Sequence, residues 1–190
     1  RLPEFTLERH DLLSALKESV LGGDAAHATS LTAPAAKPAS YPSSVEPTPL
    51  SQSGTSKQMG RSLVTTTAGM GGVGKTMTAV ALVNNMSTRS QFDLICWISV
   101  GMDPEVAALQ QVLHRQLVNQ PLPEHAKADK MFVLGVLKKA AKSVAVLLVL
   151  DDIWDADIVT ALNFIDGSSN QHSRVVITTR IRSLVPGAQE

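Results

Sequence analysis

The stretch GMGGVGKT, residues 69–76, decides the fold of this chain of 190 residues. It fits the pattern G-x-x-x-x-G-K-[ST], in which glycines let the backbone curl so that successive N–H groups converge on an anion. Lys75 adds a positive charge for the terminal phosphates of a nucleotide, and the Thr76 hydroxyl is placed for Mg²⁺. The segment 63–68 predicts a strand before the loop, and 75–86 predicts a helix whose positive end faces the phosphates. The stretch therefore predicts a P-loop.

A second motif places two carboxylates at the end of a buried strand. The segment LLVLDD, residues 147–152, is apolar until Asp151 and Asp152. Ligands of open parallel sheets bind at the carboxyl ends of the strands, so Asp151 is predicted to hold Mg²⁺, directly or through water, as a Walker B acid does. Asp152 is predicted to orient or deprotonate a water that attacks the γ-phosphate. The alternative is that Asp152 caps the following turn.

A third motif, SRVVITTR at residues 173–180, again predicts a short strand that ends in polar groups. Arg180 follows two hydroxyl residues at the carboxyl end of this strand. A guanidinium matches the geometry of a phosphate, so Arg180 is predicted to contact the γ-phosphate. The alternative is an ordinary surface arginine.

Strand and helix patterns alternate through the second part of the chain and predict a three-layer α/β fold with a mainly parallel sheet. The predicted strands are 63–68, 94–100, 144–150 and 175–178, and the predicted helices are 75–86, 105–118, 127–142 and 157–165. Met86 is expected on the apolar face of its helix, the strand at 94–100 is expected to be buried, and Asp103 is expected to cap the helix at 105–118.

Three parts differ in composition. Residues 1–22 predict a lead-in segment and an amphipathic helix, with Leu16 and Val20 on its apolar face. Residues 23–61 are rich in Ala, Ser, Thr and Pro and predict a flexible low-complexity linker. Residues 62–190 contain all three motifs and are expected to form the nucleotide-binding unit.

Composition limits the possible functions. The formal net charge is zero, which argues against a nucleic-acid-binding surface. No apolar run approaches the roughly 20 residues that a membrane span needs. The single cysteine, Cys96, excludes an internal disulfide framework and indicates a reducing compartment, expected to be the cytoplasm. Cys96, Trp97 and Trp154 are expected to be packing residues.

These motifs, in this order, resemble the NB-ARC family of STAND nucleotide-binding switches, which includes plant disease-resistance proteins and apoptotic protease-activating factors. The resemblance rests on GMGGVGKT, FDLICWISV at 92–100, LLVLDDIWD at 147–155 and SRVVITTR. It implies that the nucleotide is ADP or ATP with Mg²⁺. The residues that it implies around the phosphates are Gly69, Met70, Gly71, Gly72, Val73, Gly74, Lys75, Thr76 and Met77. The segment FTLER at 5–9 is similar to the family's adenine-binding lead-in, which implies that Leu7 and Arg9 hold the base.

The resemblance further implies a signalling or defence switch in which Asp152, Lys75 and Arg180 support a slow, Mg²⁺-dependent hydrolysis of ATP that resets the switch, and in which the ATP form of the whole protein self-associates. Because no motif of the family's helical and winged-helix subdomains occurs, we expect a nucleotide-binding subdomain cut from a longer protein. Two alternatives stay open. One is an ATPase in a transcriptional regulator of the STAND type, and the other is a nucleotide-binding scaffold that does not hydrolyse.

Overall fold

The structure, a computed structural model, describes residues 10–21, 64–68, 74–123, 129–166, 172–181 and 184. Helices and strands alternate along most of these ranges, as the sequence patterns predict. In chain order the elements are α1 (His10–Leu21), β1 (Val64–Ala68), α2 (Lys75–Asn84), α3 (Met86–Arg89), β2 (Leu94–Ser99), α4 (Val106–Val118), α5 (Lys130–Ala141), β3 (Val146–Ile153), α6 (Ala156–Leu162) and β4 (Arg174–Thr179).

The four strands form one sheet in the order β1-β4-β3-β2, and every neighbouring pair is parallel. This arrangement confirms the predicted α/β fold. The last strand of the described sequence, β4, lies between β1 and β3. The carboxyl ends of the strands that lead to the P-loop, the arginine and the acid pair therefore lie side by side at one edge of the sheet.

Alternate residues of the central strands enter two apolar clusters, one on each face of the sheet. On one face, Leu148 and Leu150 pack with residues of α4, α5 and α6. On the other face, Leu147 and Val149 pack with α2 and with Leu16 of α1. A hydrogen bond of 2.8 Å between Ser19 Oγ and Thr65 Oγ1 also joins α1 to β1. The predicted amphipathic face of α1 is thus used to cover the sheet beside α2.

Met86 does not lie on the buried face of α2, so this expectation is wrong. The helix ends at Asn84 because Asn85 has an extended backbone, with φ −72° and ψ 130°, and its side chain accepts a hydrogen bond from Ser87 N to begin α3. Met86 therefore starts a new helix in another direction, and its side chain is 84% exposed.

Two further expectations need correction. The strand predicted at 94–100 is at the edge of the sheet rather than buried between neighbours, and its outer edge is covered locally by a side chain. Gln116 of α4 accepts a bond from Trp97 N and donates one to Trp97 O, each at 2.9 Å. The residue at the start of α4 is Glu105, not Asp103, because the chain stays extended through Glu105 (φ −80°, ψ 93°) and the helix begins only at Val106.

The linker predicted at 23–61 lies outside the described residues, and its flexibility stays a prediction. Among the helices of the described ranges, none has the length and apolar character needed to cross a membrane.

Candidate functional site

The end of β3 carries an irregularity that separates the two predicted acids. Leu150 pairs with Ile177 of β4, and the next pair is Ile153 with Thr179. Two residues of β3, Asp151 and Asp152, therefore lie opposite the single residue between Ile177 and Thr179. This is a β-bulge, which bends a strand and redirects its side chains. Asp152 has a positive φ of 58°, a left-handed conformation that aspartate tolerates better than most residues.

Asp151 lies in a group of three oxygen-bearing side chains, which we call the inner cluster and which consists of Thr76, Asp151 and Thr178. Asp151 and Thr178 are buried, and Thr76 is exposed. The Oδ1 atom of Asp151 accepts a hydrogen bond of 2.8 Å from Thr76 Oγ1 and one of 2.5 Å from Thr178 Oγ1. Asp151 is only 5% exposed. Burial of a carboxylate is tolerated when hydrogen bonds compensate for lost water, and these two hydroxyls supply that compensation. The contact also joins the first turn of α2 to the end of β3.

Asp152 lies in a different group, which we call the outer cluster and which consists of Asp152, Trp154 and Arg180. Arg180 Nε is 3.4 Å from Asp152 Oδ1, and the two side chains are 49% and 35% exposed. The Arg180 Cζ atom lies 5.2 Å from the centroid of the Trp154 ring, within the range of a cation–π contact. The structure thus brings the predicted base and the predicted γ-phosphate contact into one ion pair.

Thr178 connects the two clusters. Its hydroxyl donates to Asp151 Oδ1 and accepts a bond of 2.9 Å from the backbone N–H of Asp152. One side chain therefore fixes the position of the buried carboxylate and satisfies a backbone donor inside the bulge. A second threonine, Thr179, donates to Ile153 O at 2.7 Å and accepts from Ile181 N at 3.0 Å.

The beginning of α2 brings Lys75 to the same edge of the sheet. Gly74 has a positive φ of 81°, which a glycine adopts without strain, and its carbonyl accepts the first bonds of the helix, from Thr78 N and Thr78 Oγ1. Burial and the nearby charge of Arg180 lower the pKa of Lys75, while the carboxylates of Asp152 and Asp151 act against that shift. Lys75 is therefore close enough to both clusters for their charges to affect its pKa.

Of the predicted site residues, Gly74, Lys75, Thr76, Asp151, Asp152 and Arg180 come together at this edge, and Met77 follows on an exposed position of α2. The other predicted phosphate contacts, residues 69–73, lie outside the described residues, as do the predicted adenine contacts Leu7 and Arg9. Their roles stay predictions. Cys96, expected to be an inert core residue, is buried, and that burial raises the pKa of its thiol to about 12.

Two residues at the site were not assigned roles from the sequence. The sequence identifies Thr178 only as one of two hydroxyl residues before Arg180, and it predicts that Trp154 is a packing residue. The usable signal for Thr178 is its position, since it is a hydroxyl residue at the carboxyl end of a predicted parallel strand, the edge of the sheet at which the acid pair also lies. No comparable signal existed for Trp154, because its contact with Arg180 depends on the bulge.

Comparison with known proteins gives a consistent result. The family model described as "NB-ARC domain" matches residues 51–189, which is more than half of the chain and includes every residue of both clusters. The match is therefore with the part of the chain that carries the site.

Several plant proteins are similar to the same part. The chain is 27% identical over 137 residues to the putative disease resistance RPP13-like protein 3 of Arabidopsis thaliana, an alignment that covers 68% of this chain and 16% of that protein. It is 29% identical over 126 residues to disease resistance protein RPP13, covering 63% and 15%. It is 33% identical over 97 residues to the probable disease resistance protein RF45, an alignment that covers 50% of this chain and 9% of that protein. RPP13 and RF45 are also proteins of Arabidopsis thaliana. The chain thus spans less than a fifth of each of these relatives.

Proposed function

The chain belongs to the NB-ARC domain family, and we propose that it is the adenine-nucleotide switch module of a larger defence-signalling protein. The observation that carries this proposal is the 2.8 Å contact between Thr76 and Asp151. It joins the last residue of the P-loop motif to the acid at the end of β3, which is the juxtaposition that a nucleotide with a bound metal ion requires. The similar plant proteins are named as disease resistance proteins, which supports the defence role.

The phosphates would bind at the beginning of α2. Backbone N–H groups of the loop at 69–74 would supply, together with the positive end of the helix, a concave anion site. Lys75 would add a full positive charge to the β- and γ-phosphates, and its nearness to the inner and outer clusters supports this role. Leu7 and Arg9 would hold the adenine, as the family resemblance implies.

Thr76 and Asp151 have the chemistry to hold Mg²⁺. Magnesium prefers oxygen ligands in an octahedron with bonds of 2.0–2.1 Å, so neighbouring ligand oxygens lie about 2.9 Å apart. The 2.8 Å separation of Thr76 Oγ1 and Asp151 Oδ1 fits one edge of such an octahedron. When bound, the metal would neutralise charge on the β- and γ-phosphate oxygens. Asp151 would hold it directly or through water, and Thr178 would keep the carboxylate aligned.

Hydrolysis would depend on the outer cluster. The Asp152 carboxylate would accept the proton of a water whose oxygen attacks the γ-phosphorus, while the bond from phosphorus to the ADP oxygen breaks and phosphate leaves. Arg180 would stabilise the negative charge on the γ-phosphate. The ion pair between Asp152 and Arg180 means that the base is engaged before the nucleotide arrives. This engagement supports slow turnover, suited to resetting a switch.

The ATP form and the ADP form would differ in how much each favours an open state of the longer protein, in which self-association becomes possible. A ligand shifts such an equilibrium only by its differential affinity, and a full reversal needs about 5.5 kcal/mol. The contact of Arg180 with the γ-phosphate is one part of that difference. The same engagement of Asp152 also favours, as a second candidate, a nucleotide-binding scaffold that does not hydrolyse; measured turnover separates the two.

The proposal is tested first at the P-loop lysine. Lys75→Ala removes the charge that faces the terminal phosphates, so we expect it to abolish measurable binding in a titration with a fluorescent ADP analogue. Lys139→Ala, at an exposed position of α5, removes a lysine away from the site and should leave the affinity unchanged. Equal affinities of the two variants would reject the nucleotide site.

A further inference from the structure

Arg180 is held from two sides at the rim of the site, by a carboxylate and by an aromatic ring. We propose that Trp154 is a positioning residue for Arg180, and that its ring keeps the guanidinium at the phosphate site after a phosphate has drawn it away from Asp152, so that a triphosphate is favoured over a diphosphate. The contacts are those of the outer cluster, with Nε 3.4 Å from Asp152 Oδ1 and Cζ 5.2 Å from the ring centroid. The proposal rests on the contact of Arg180 with the γ-phosphate in the proposed function, and it adds Trp154 as the residue that positions Arg180 for that contact.

The backbones that carry the two side chains are tied together. The hydroxyl of Thr179 donates to the carbonyl of Ile153, the residue before Trp154, at 2.7 Å. The same hydroxyl accepts from the N–H of Ile181, the residue after Arg180, at 3.0 Å. The separation between the start of the Trp154 side chain and the start of the Arg180 side chain is therefore fixed. A contact between flexible surface side chains would lack this support.

The presence of an indole at this position needs an explanation beyond packing. The Nε1 atom of Trp154 is buried, and no hydrogen-bond partner for it exists among the described residues. A buried polar group without a partner is unfavourable, and tryptophan N–H groups in such places usually have one. A phenyl ring would fill an apolar space without this penalty. What tryptophan adds is the most effective aromatic face for a cation, and Arg180 lies over that face.

Arg180 needs this support because other forces would move it away. The side chain is half exposed, and an exposed ion pair alone restrains a long side chain weakly. Lys75 is near enough for the charge of Arg180 to lower its pKa, after the larger effect of burial, so the two cations repel each other. The ring restrains the guanidinium without neutralising it. Its charge therefore remains available to a phosphate that binds beside Lys75.

The contact can be tested without any nucleotide. The sequence contains two tryptophans, so Trp97→Phe leaves Trp154 as the single tryptophan, which is excited selectively at wavelengths where tyrosine does not absorb. In that background we expect Arg180→Ala to change the emission maximum or intensity of Trp154, because a guanidinium over the indole is removed. Arg89→Ala, at an exposed position of α3, is the matched control and should change neither. An unchanged spectrum with Arg180→Ala would overturn the positioning role, whatever the function of the site.

The consequence is tested with nucleotides, by measuring the dissociation constants of ADP and of a non-hydrolysable ATP analogue with Mg²⁺. Trp154→Leu should reduce the preference for the triphosphate by about two- to fivefold, with ADP affinity unchanged. Trp154→Phe, which keeps a ring and should fold normally, should cause a smaller loss. Arg180→Ala should reduce the preference by about tenfold or more, and Trp154→Leu should then add nothing further.

Two failures are distinguishable. If Trp154→Leu lowered the preference equally with and without Arg180, or weakened ADP binding as much as ATP binding, Trp154 would act on general structure and the positioning role would be wrong. If Arg180→Ala left the preference unchanged, the γ-phosphate contact itself would be wrong, and the proposed function would lose that part together with the inference built on it.

Discussion

The inner and outer clusters begin at consecutive residues, Asp151 and Asp152, yet their environments are opposite. Asp151 is almost completely buried and accepts bonds from two hydroxyls. Asp152 is about one-third exposed and faces a half-exposed arginine that also contacts an aromatic ring. An unbroken strand would direct the two side chains to opposite faces of the sheet. At the end of β3 a bulge, with a positive φ at Asp152, redirects this side chain towards Arg180.

The difference suggests a division of roles, in which Asp151 is fixed in position and the pair of Asp152 and Arg180 is able to move. Short bonds from two hydroxyls to a buried carboxylate leave Asp151 little freedom, which suits a metal ligand that must hold one geometry. An exposed ion pair is weak, which suits groups that must separate when a phosphate arrives. The three predictions below test this division, beginning with the largest expected effect.

The largest effect is expected when the outer carboxylate is neutralised. Asp152→Asn removes a base that acts only in the transition state, so turnover should fall by about 10²–10⁴-fold while ATP affinity stays within a few-fold. Asparagine also tolerates the positive φ of 58° at this position, so the bulge should persist. Single-turnover phosphate release and equilibrium ATP binding measure the two quantities, in the longer protein if this chain turns over too slowly.

A smaller effect, on binding rather than turnover, is expected from the inner carboxylate. Asp151→Asn keeps an oxygen that can accept from Thr76 and Thr178 but removes the charge that would hold Mg²⁺. ATP affinity with Mg²⁺ should fall by about 10–100-fold, a loss typical of disturbed metal sites. In EDTA the variant should bind ATP at least as tightly as the unsubstituted chain, because no metal is involved and a negative charge near the phosphates is removed; this controls for misfolding. The division of roles would be wrong if Asp152→Asn lost magnesium-dependent binding as severely as Asp151→Asn.

The sequence was sufficient to predict the layers of the fold and the strands and helices that carry the site. Strong local patterns made this possible: β3 is continuously apolar before its acids, and the glycine-rich loop is bounded by a strand and a helix. Parallel strands end at one edge of a sheet, so Lys75, Asp151 and Arg180 could be expected near each other from strand positions alone. The contact of Thr76 with Asp151 follows the same logic.

The bulge and its consequences could not be predicted in this way. Strand periodicity is a property of one segment, whereas the bulge depends on the pairing of β3 with β4. There the Thr178 hydroxyl donates to the Asp151 carboxylate and accepts from the backbone N–H of Asp152. The same limit explains Met86, which was placed on a helix face by periodicity although the backbone and cap of Asn85 end that helix. Contacts between side chains of different strands and helices, including that of Trp154 with Arg180, depend on local irregularities such as this bulge and this helix end.

The smallest effect concerns the coupling between Asp152 and Arg180 in the nucleotide-free chain. A double-mutant cycle with Asp152→Asn and Arg180→Ala, measured by urea unfolding, should give a coupling free energy below about 1 kcal/mol. The coupling should decrease further in 0.5 M salt, because exposed charges are screened. The coupling in a cycle with Thr76→Val and Asp151→Asn should be less affected by salt, since Asp151 is buried and Thr76 carries no charge. Weak coupling in the outer cluster is what allows Arg180 to leave Asp152 for a phosphate. A coupling above about 2 kcal/mol that persists in salt would mean that the ion pair is locked, and the distinction between a fixed inner group and a movable outer group would then fail.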